Sequence, residues 1–234
     1  MRVPPLAATV LAATTTAVIG LAGAPGASAA PPTCNDVNGI LGPDNVCTIA
    51  QTDPAYTLNI TFPATFPDAK PVIEYVKQTR DGFLNVAKSP DFRGMPYELD
   101  TTATQYSSAV PPRGTQSLVF TTYQNIGGAH PQTFYKSFSW DQAYRKPITF
   151  EKLFREGVDP LPVIFPVVQS DLARQSGMPD PVLPEAGLDP ANYQNFAITD
   201  DAVIFFFSQG ELLPESGGAV QVSVPRATVA PLLA

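Results

Sequence analysis

Apolar and polar residues alternate without a miss from Tyr56 to Phe62, which predicts a half-buried strand with Tyr56, Leu58, Ile60 and Phe62 facing a core. Pro67 and Asp68 then suit a helix start. Val72, Tyr75, Val76, Thr79, Phe83, Val86 and Ala87 recur at helical spacing, with Lys70, Glu74, Lys77 and Arg80 on the other face, so an amphipathic helix is expected from about Ala69 to Lys88. Three runs rich in Thr, Tyr, Phe and Val follow, near Tyr97–Ser107, Gln116–Gln124 and Gln132–Trp140, and each reads as a strand. The last two flank Asn125-Ile-Gly-Gly-Ala-His-Pro131. Paired glycines there predict a hairpin connection between antiparallel strands, because Gly adopts positive φ without steric cost.

A second helical stripe, Leu161, Ile164, Phe165, Val168 and Leu172, opens after Asp159-Pro-Leu-Pro and stops at Gly177, with Pro166 expected to kink it or delay its start. Turn-forming residues dominate from Met178 to Pro190. Phe196–Phe207 reads as a tight hairpin turning at Asp200-Asp201, and its unbroken run Val203–Phe207 implies burial on both faces. Val220, Val222 and Val224 form a last strand, after which Pro225 admits a short helix through Leu233. The predicted fold class is α+β: an antiparallel sheet with two main helices packed on it and a short C-terminal helix.

Ahead of this pattern, the run Leu6–Leu21 is apolar and charge-free, and the small-residue pattern Ala27-Ser28-Ala29 follows it. Residues 1–29 are therefore expected to be a cleaved secretory signal and residues 30–234 a single exported domain, with no membrane span after cleavage. Two cysteines, Cys34 and Cys47, lie just beyond, and in an oxidising compartment they are expected to pair. Closing so short a loop stabilises a fold by about 3 kcal/mol on the chain-entropy account.

Composition narrows the chemistry. Hydrophobic residues make up 44% and charged residues 15%, which points to a packed globule. A net charge of -7 without a Lys/Arg cluster makes nucleic acid a poor partner. With one histidine, His130, and two cysteines, a histidine/cysteine zinc site of three or four ligands cannot be assembled, and no cofactor is expected. There is no G-x-S-x-G elbow, no phosphate-binding glycine loop and no dinucleotide turn. His130 could act as a hydrolase base, but nothing identifies its serine; the plainer reading is that it packs beside the Gly127-Gly128 turn. Glu211 and Glu215 could form an acid/base pair in principle, though solvated loop carboxylates are the simpler reading. Tyr106, Tyr123, Tyr135, Trp140 and Tyr144 offer flat faces with polar edges, which suit either a core or a glycan-binding groove.

Six stretches carry a resemblance across nearly all of the chain after the signal: Asp53-Pro-Ala-Tyr-Thr-Leu-Asn-Ile60, Ala109-Val-Pro-Pro-Arg-Gly-Thr-Gln116, the hairpin segment Tyr123–Pro131, Trp140-Asp-Gln-Ala-Tyr-Arg-Lys-Pro-Ile-Thr149, Gly187-Leu-Asp-Pro-Ala-Asn-Tyr-Gln-Asn-Phe196, and Val203–Phe207 with Gly210-Glu-Leu-Leu-Pro214. In these the chain resembles the secreted mycobacterial immunogenic proteins, a family of small culture-filtrate antigens. The second half also resembles the lysozyme-binding extracellular domain of an anti-sigma factor, through the Gly-Gly-Ala-His hairpin, Lys146-Pro-Ile-Thr-Phe-Glu-Lys-Leu-Phe154 and Val222-Ser-Val-Pro225. The resemblance implies an exported α+β protein with a recognition role and supplies no catalytic residue. Some relatives carry an esterase label, but the motif expected of one is absent here. The expected function is therefore binding or host interaction by a monomer, with Gly127, Gly128, His130, Tyr123 and Tyr135 as candidate binding residues. A host or lysozyme-like protein or a glycan is the expected partner, and a cell-envelope hydrolase using His130 is the alternative.

Overall fold

The computed structural model describes residues 33–89, 95–109, 114–128 and 130–234; the expected signal, residues 1–29, lies outside them. In chain order the elements are β1 (Ile40–Leu41), β2 (Val46–Asp53), β3 (Tyr56–Pro63), α1 (Ala69–Ala87), β4 (Tyr97–Ser108), β5 (Thr115–Asn125), β6 (Gln132–Asp141), β7 (Lys146–Pro147), α2 (Phe150–Leu153), α3 (Leu161–Ser176), α4 (Pro184–Gly187), β8 (Phe196–Ile198), β9 (Ala202–Phe207), β10 (Val220–Pro225) and α5 (Arg226–Val229). The fold is α+β, and the strands fall into two sheets. Strands β1 to β7 lie side by side in sequence order, and β10-β9-β8 form a second sheet.

Alternation in β3 puts Tyr56, Leu58, Ile60 and Phe62 inside, as the sequence predicts. The pair β3–β4 is parallel, with Tyr56 opposite Tyr97, and every other pair is antiparallel. The reason is the helix between them: α1 is the crossover that two parallel strands require. It packs Val72, Ile73, Val76 and Phe83 onto the face of the large sheet formed by Leu58, Ile60, Leu99, Leu118 and Phe120. Arg80 departs from its expected place on the charged face. It is buried, and its guanidinium donates to the Val37 carbonyl (2.6 Å) and to Asp81 (2.7 Å). The N-terminal arm, residues 33–38, covers it, and that arm is tied to β2 by the disulfide Cys34–Cys47. Gly39 is needed at this junction, because a Cβ there would stand 2.5 Å from the Cys47 sulfur.

Helix α3 starts at Leu161 and runs through Pro166 to Gly177, whose φ of 73° caps it. Pro166 therefore does not delay the start; it sits on the exposed side of the helix. Leu161, Ile164, Val168 and Leu172 pack against Phe205, Phe207, Val222 and Val224 of the small sheet. The last helix, α5, is shorter than expected and ends at Val229, because Pro231 brings no N–H to continue the ladder. Leu233 instead bridges to Phe154.

A polar seam and a small apolar cluster join the two sheets. Val119 meets Ala197 and Phe206, flanked by Tyr106, Tyr135 and Ile204. Around them, the backbone groups on the open edge of β8 are satisfied by serines projecting from β5 and β6. Ser117 accepts from the Ile198 N–H (3.2 Å), Ser137 accepts from the Phe196 N–H (2.9 Å), and Ser139 donates to the Phe196 carbonyl (3.3 Å). The open edge of β6 is satisfied in return, since Gln209, Ser208 and Asn195 side chains accept from Thr133, Tyr135 and Ser137 N–H groups. Edges that would otherwise invite pairing with another chain are thereby closed.

Candidate functional site

The turn between β5 and β6 carries three of the candidate residues. Gly127 has φ of 72°, and its amide donates to the Asn125 side chain (3.3 Å), so the turn dictates glycine here. A Cβ at Gly127 would also come within 3.0 Å of the Tyr97 ring. Gly128 meets nothing within 4 Å, and no steric reason requires it. His130 emerges from this turn half exposed, with Nε2 3.0 Å from Glu215 Oε2 of the segment before β10. At such exposure the pair contributes between about 0 and 1 kcal/mol, so its presence is not explained by stability.

Around this pair lies a cleft of about 470 Å³ lined by Gln124, Ile126, Gly128, His130, Gln132, Phe134 and Glu215. Register explains the set: Gln124 pairs with Gln132 across the hairpin, so both point to the same face, and Phe134 follows two residues on. These residues were not singled out from the sequence, although the hairpin register would have placed them together. A second shallow cleft on the far side of the turn shares Ile126 and Gly128 and is walled by Asn85, Val86, Ser89 and Tyr97. The hairpin tip thus presents Ile126, which is exposed, as is Val86 of that wall.

None of the described residues lining the His130 cleft is Ser, Thr, Cys or Tyr. An apolar groove of about 580 Å³, lined by Phe62, Pro63, Phe66, Val72 and Ile73 among others, lies at the opposite end of β3. Register aligns Tyr56 with Tyr97 and Glu98 with Asn125, so the hairpin sits at the Tyr56 end. Six residues of strand separate the two, about 20 Å. His130 does not line that groove.

The remaining candidates go elsewhere. Tyr135 and Tyr106 pack on Phe206, with ring centroids 5.3 and 5.9 Å away, and burial pushes both phenols above the usual range. Tyr123 is half buried on β5, on the same face as Thr133 opposite it, away from the Gln124–Gln132 side. Trp140 packs partly buried against the α1 core. Glu211 accepts from the Ser208 N–H (2.6 Å) and, as burial outweighs that bond, its carboxyl is held above the usual carboxylate value. It is a local cap, while Glu215 faces His130.

The model of the family described as "Protein of unknown function (DUF3298)" matches residues 151–227, the part of the chain that holds α3 and the small sheet. The crystal structure of a Pseudomonas aeruginosa DUF3298 protein superposes with a TM-score of 0.53 at 14% identity, covering 83% of this chain and 96% of the other. Within that fold the relationship is narrower. The chain is 52% identical over 220 residues to the immunogenic protein MPT64 of Mycobacterium tuberculosis, covering 94% of this chain and 96% of the relative, and it belongs to the MPB64/MPT64 family of mycobacterial immunogenic proteins. It is also 48% identical over 206 residues to the M. tuberculosis protein named esterase Rv3036c, covering 88% and 91% of the two chains.

Proposed function

We propose that this chain is exported, loses residues 1–29, and works as a monomeric binding protein whose recognition surface is the β5–β6 hairpin tip with His130 and Glu215. The observation that carries this reading is the composition of the cleft: an imidazole and a carboxylate 3.0 Å apart, two glutamines and exposed apolar side chains, without a hydroxyl or thiol among its described lining. Such a set offers donors, acceptors and apolar contact to a partner but no hydroxyl or thiol nucleophile. Its partner is a host or lysozyme-like protein, or a glycan.

One observation favours a second reading. A 48%-identical relative is named an esterase, and the His130–Glu215 spacing is that of a general base with an orienting acid. A single experiment separates the two. Purified wild type and His130→Ala are assayed on short-chain aryl esters and, in parallel, on immobilised lysozyme and a glycan array. The binding reading expects no ester turnover above buffer in either protein and a bound partner that is lost in His130→Ala and in Ile126→Asp. Turnover by wild type that disappears in His130→Ala overturns it in favour of the hydrolase.

A further inference from the structure

At the other end of β5, about 33 Å along the strand from the hairpin, a separate cleft opens where β7, α2 and α5 converge with Leu233 and Ala234. It measures about 220 Å³. Its interior is apolar, formed by Ile148, Leu153, Ile198 and Leu233, while its outer lining carries Lys146 and Lys152. Both lysines are exposed, and neither makes an ion pair within 4.0 Å among the described residues. Asp141 is the acidic side chain in the lining, and its Oδ1 already accepts from the Ala143 and Tyr144 amides, both at 2.8 Å. Tyr144 is 58% exposed, with the Lys146 ammonium 4.7 Å from its ring centroid.

An independent observation marks the same place. Thr115 lines the cleft at 6% exposure, and its hydroxyl has no hydrogen-bond partner, a state that buried hydroxyls rarely keep without a reason. Arg226, also in the lining and 8% exposed, donates to Ser108 (3.2 Å) and the Thr199 carbonyl (3.0 Å).

We propose that this cleft binds a small carboxylate carrying a short apolar body. Lys146 and Lys152 hold the carboxylate, and Ile148, Ile198, Leu233 and the Tyr144 ring cover the body. The volume equals that of about seven waters, which sets the ligand at the size of a six-carbon acid. The sign of the lysines disfavours a cation, and their position beside an apolar interior favours an amphiphile over a bare anion.

The test uses hexanoate, hexan-1-ol and hexylamine titrated into the ¹⁵N-labelled protein. Hexanoate is expected to shift the amides of Thr115, Ile148, Leu153 and Ile198 saturably, to bind at least about tenfold more tightly than hexan-1-ol, and to lose about that factor in the Lys146→Gln/Lys152→Gln double variant, as charge-assisted hydrogen bonds are worth. Hexylamine is expected to leave those amides unmoved, and His130→Ala to bind hexanoate like wild type. Equal affinity for hexan-1-ol, an unaffected double variant, or shifts confined to other parts of the chain would each overturn the proposal. Neither exposed lysine contributes to the core, so the double variant folds and its result is interpretable.

Discussion

Tyr193 is fully buried, and its phenol donates to the Gly187 carbonyl at 2.7 Å, with burial pushing its ionisation far above the usual range. Gly187 itself has no room for a side chain, since a Cβ there would stand 2.0 Å from the Phe165 ring. Tyr193→Phe leaves that carbonyl without its donor, and an equilibrium urea titration should show a loss of about 1–2 kcal/mol. Glu211 supplies a pH-dependent case. Its folded carboxyl holds its proton to a higher pH than in the unfolded chain, so the folded state binds more protons in the interval between the two values. Wild-type stability therefore declines as pH rises through that interval. Glu211→Gln removes this decline, so the stability difference between variant and wild type should widen from acidic to neutral pH. A difference that changes with pH in the opposite sense would show that the Ser208 bond, not burial, dominates at this carboxyl.

Among the elements, the N-terminal arm and α1 depend on each other. The disulfide holds residues 33–38 against the helix, and that contact buries Arg80 and gives its guanidinium the Val37 carbonyl. Replacing both Cys34 and Cys47 by Ser should cost about 3 kcal/mol. In that background Arg80→Ala should cost less than in wild type, because the arm no longer pins the carbonyl it serves. A double-mutant cycle is expected to show coupling of about 0.5–3 kcal/mol between the two changes. Additive losses would mean that the arm stays docked without its cross-link.

For the whole molecule, the seam between the sheets is the decisive feature, and its polar atoms matter more than its small apolar cluster. Ser117 bonds both Ser139 (2.9 Å) and the Ile198 amide, all buried. Ser117→Ala removes the acceptor of a buried N–H, and the cost should be about 1–3 kcal/mol. The Ile198 amide should exchange with deuterium faster than its neighbours in β9, whose ladder to β10 remains. Uniform protection across both sheets in that variant would show that apolar contact alone holds them together.

The strands from Tyr56 onward and the two long helices were legible in the letters, because alternation at period 2 and the stripe at 3.6 are imposed by burying one face, whatever lies opposite, whereas β2 (Val46–Asp53) was not predicted. The β5–β6 hairpin, the α3 stop at Gly177 and the hairpin at residues 199–201 follow from turn residues that tolerate few other conformations. The family membership was legible as well, from the six stretches that carry the resemblance. What lay opposite each face was not. Nothing in the spacing of Ser117, Ser137 and Ser139 says that a second sheet covers them, or that Arg80 falls beneath an arm brought there from 43 residues away. The pairing of His130 with Glu215, 85 residues on, and the gathering of Lys146, Lys152 and Thr115 around one cleft have the same origin. Local sequence fixes which face of an element is apolar, whereas the partner across that face is chosen by long-range packing, and only the folded chain brings such residues within reach of each other.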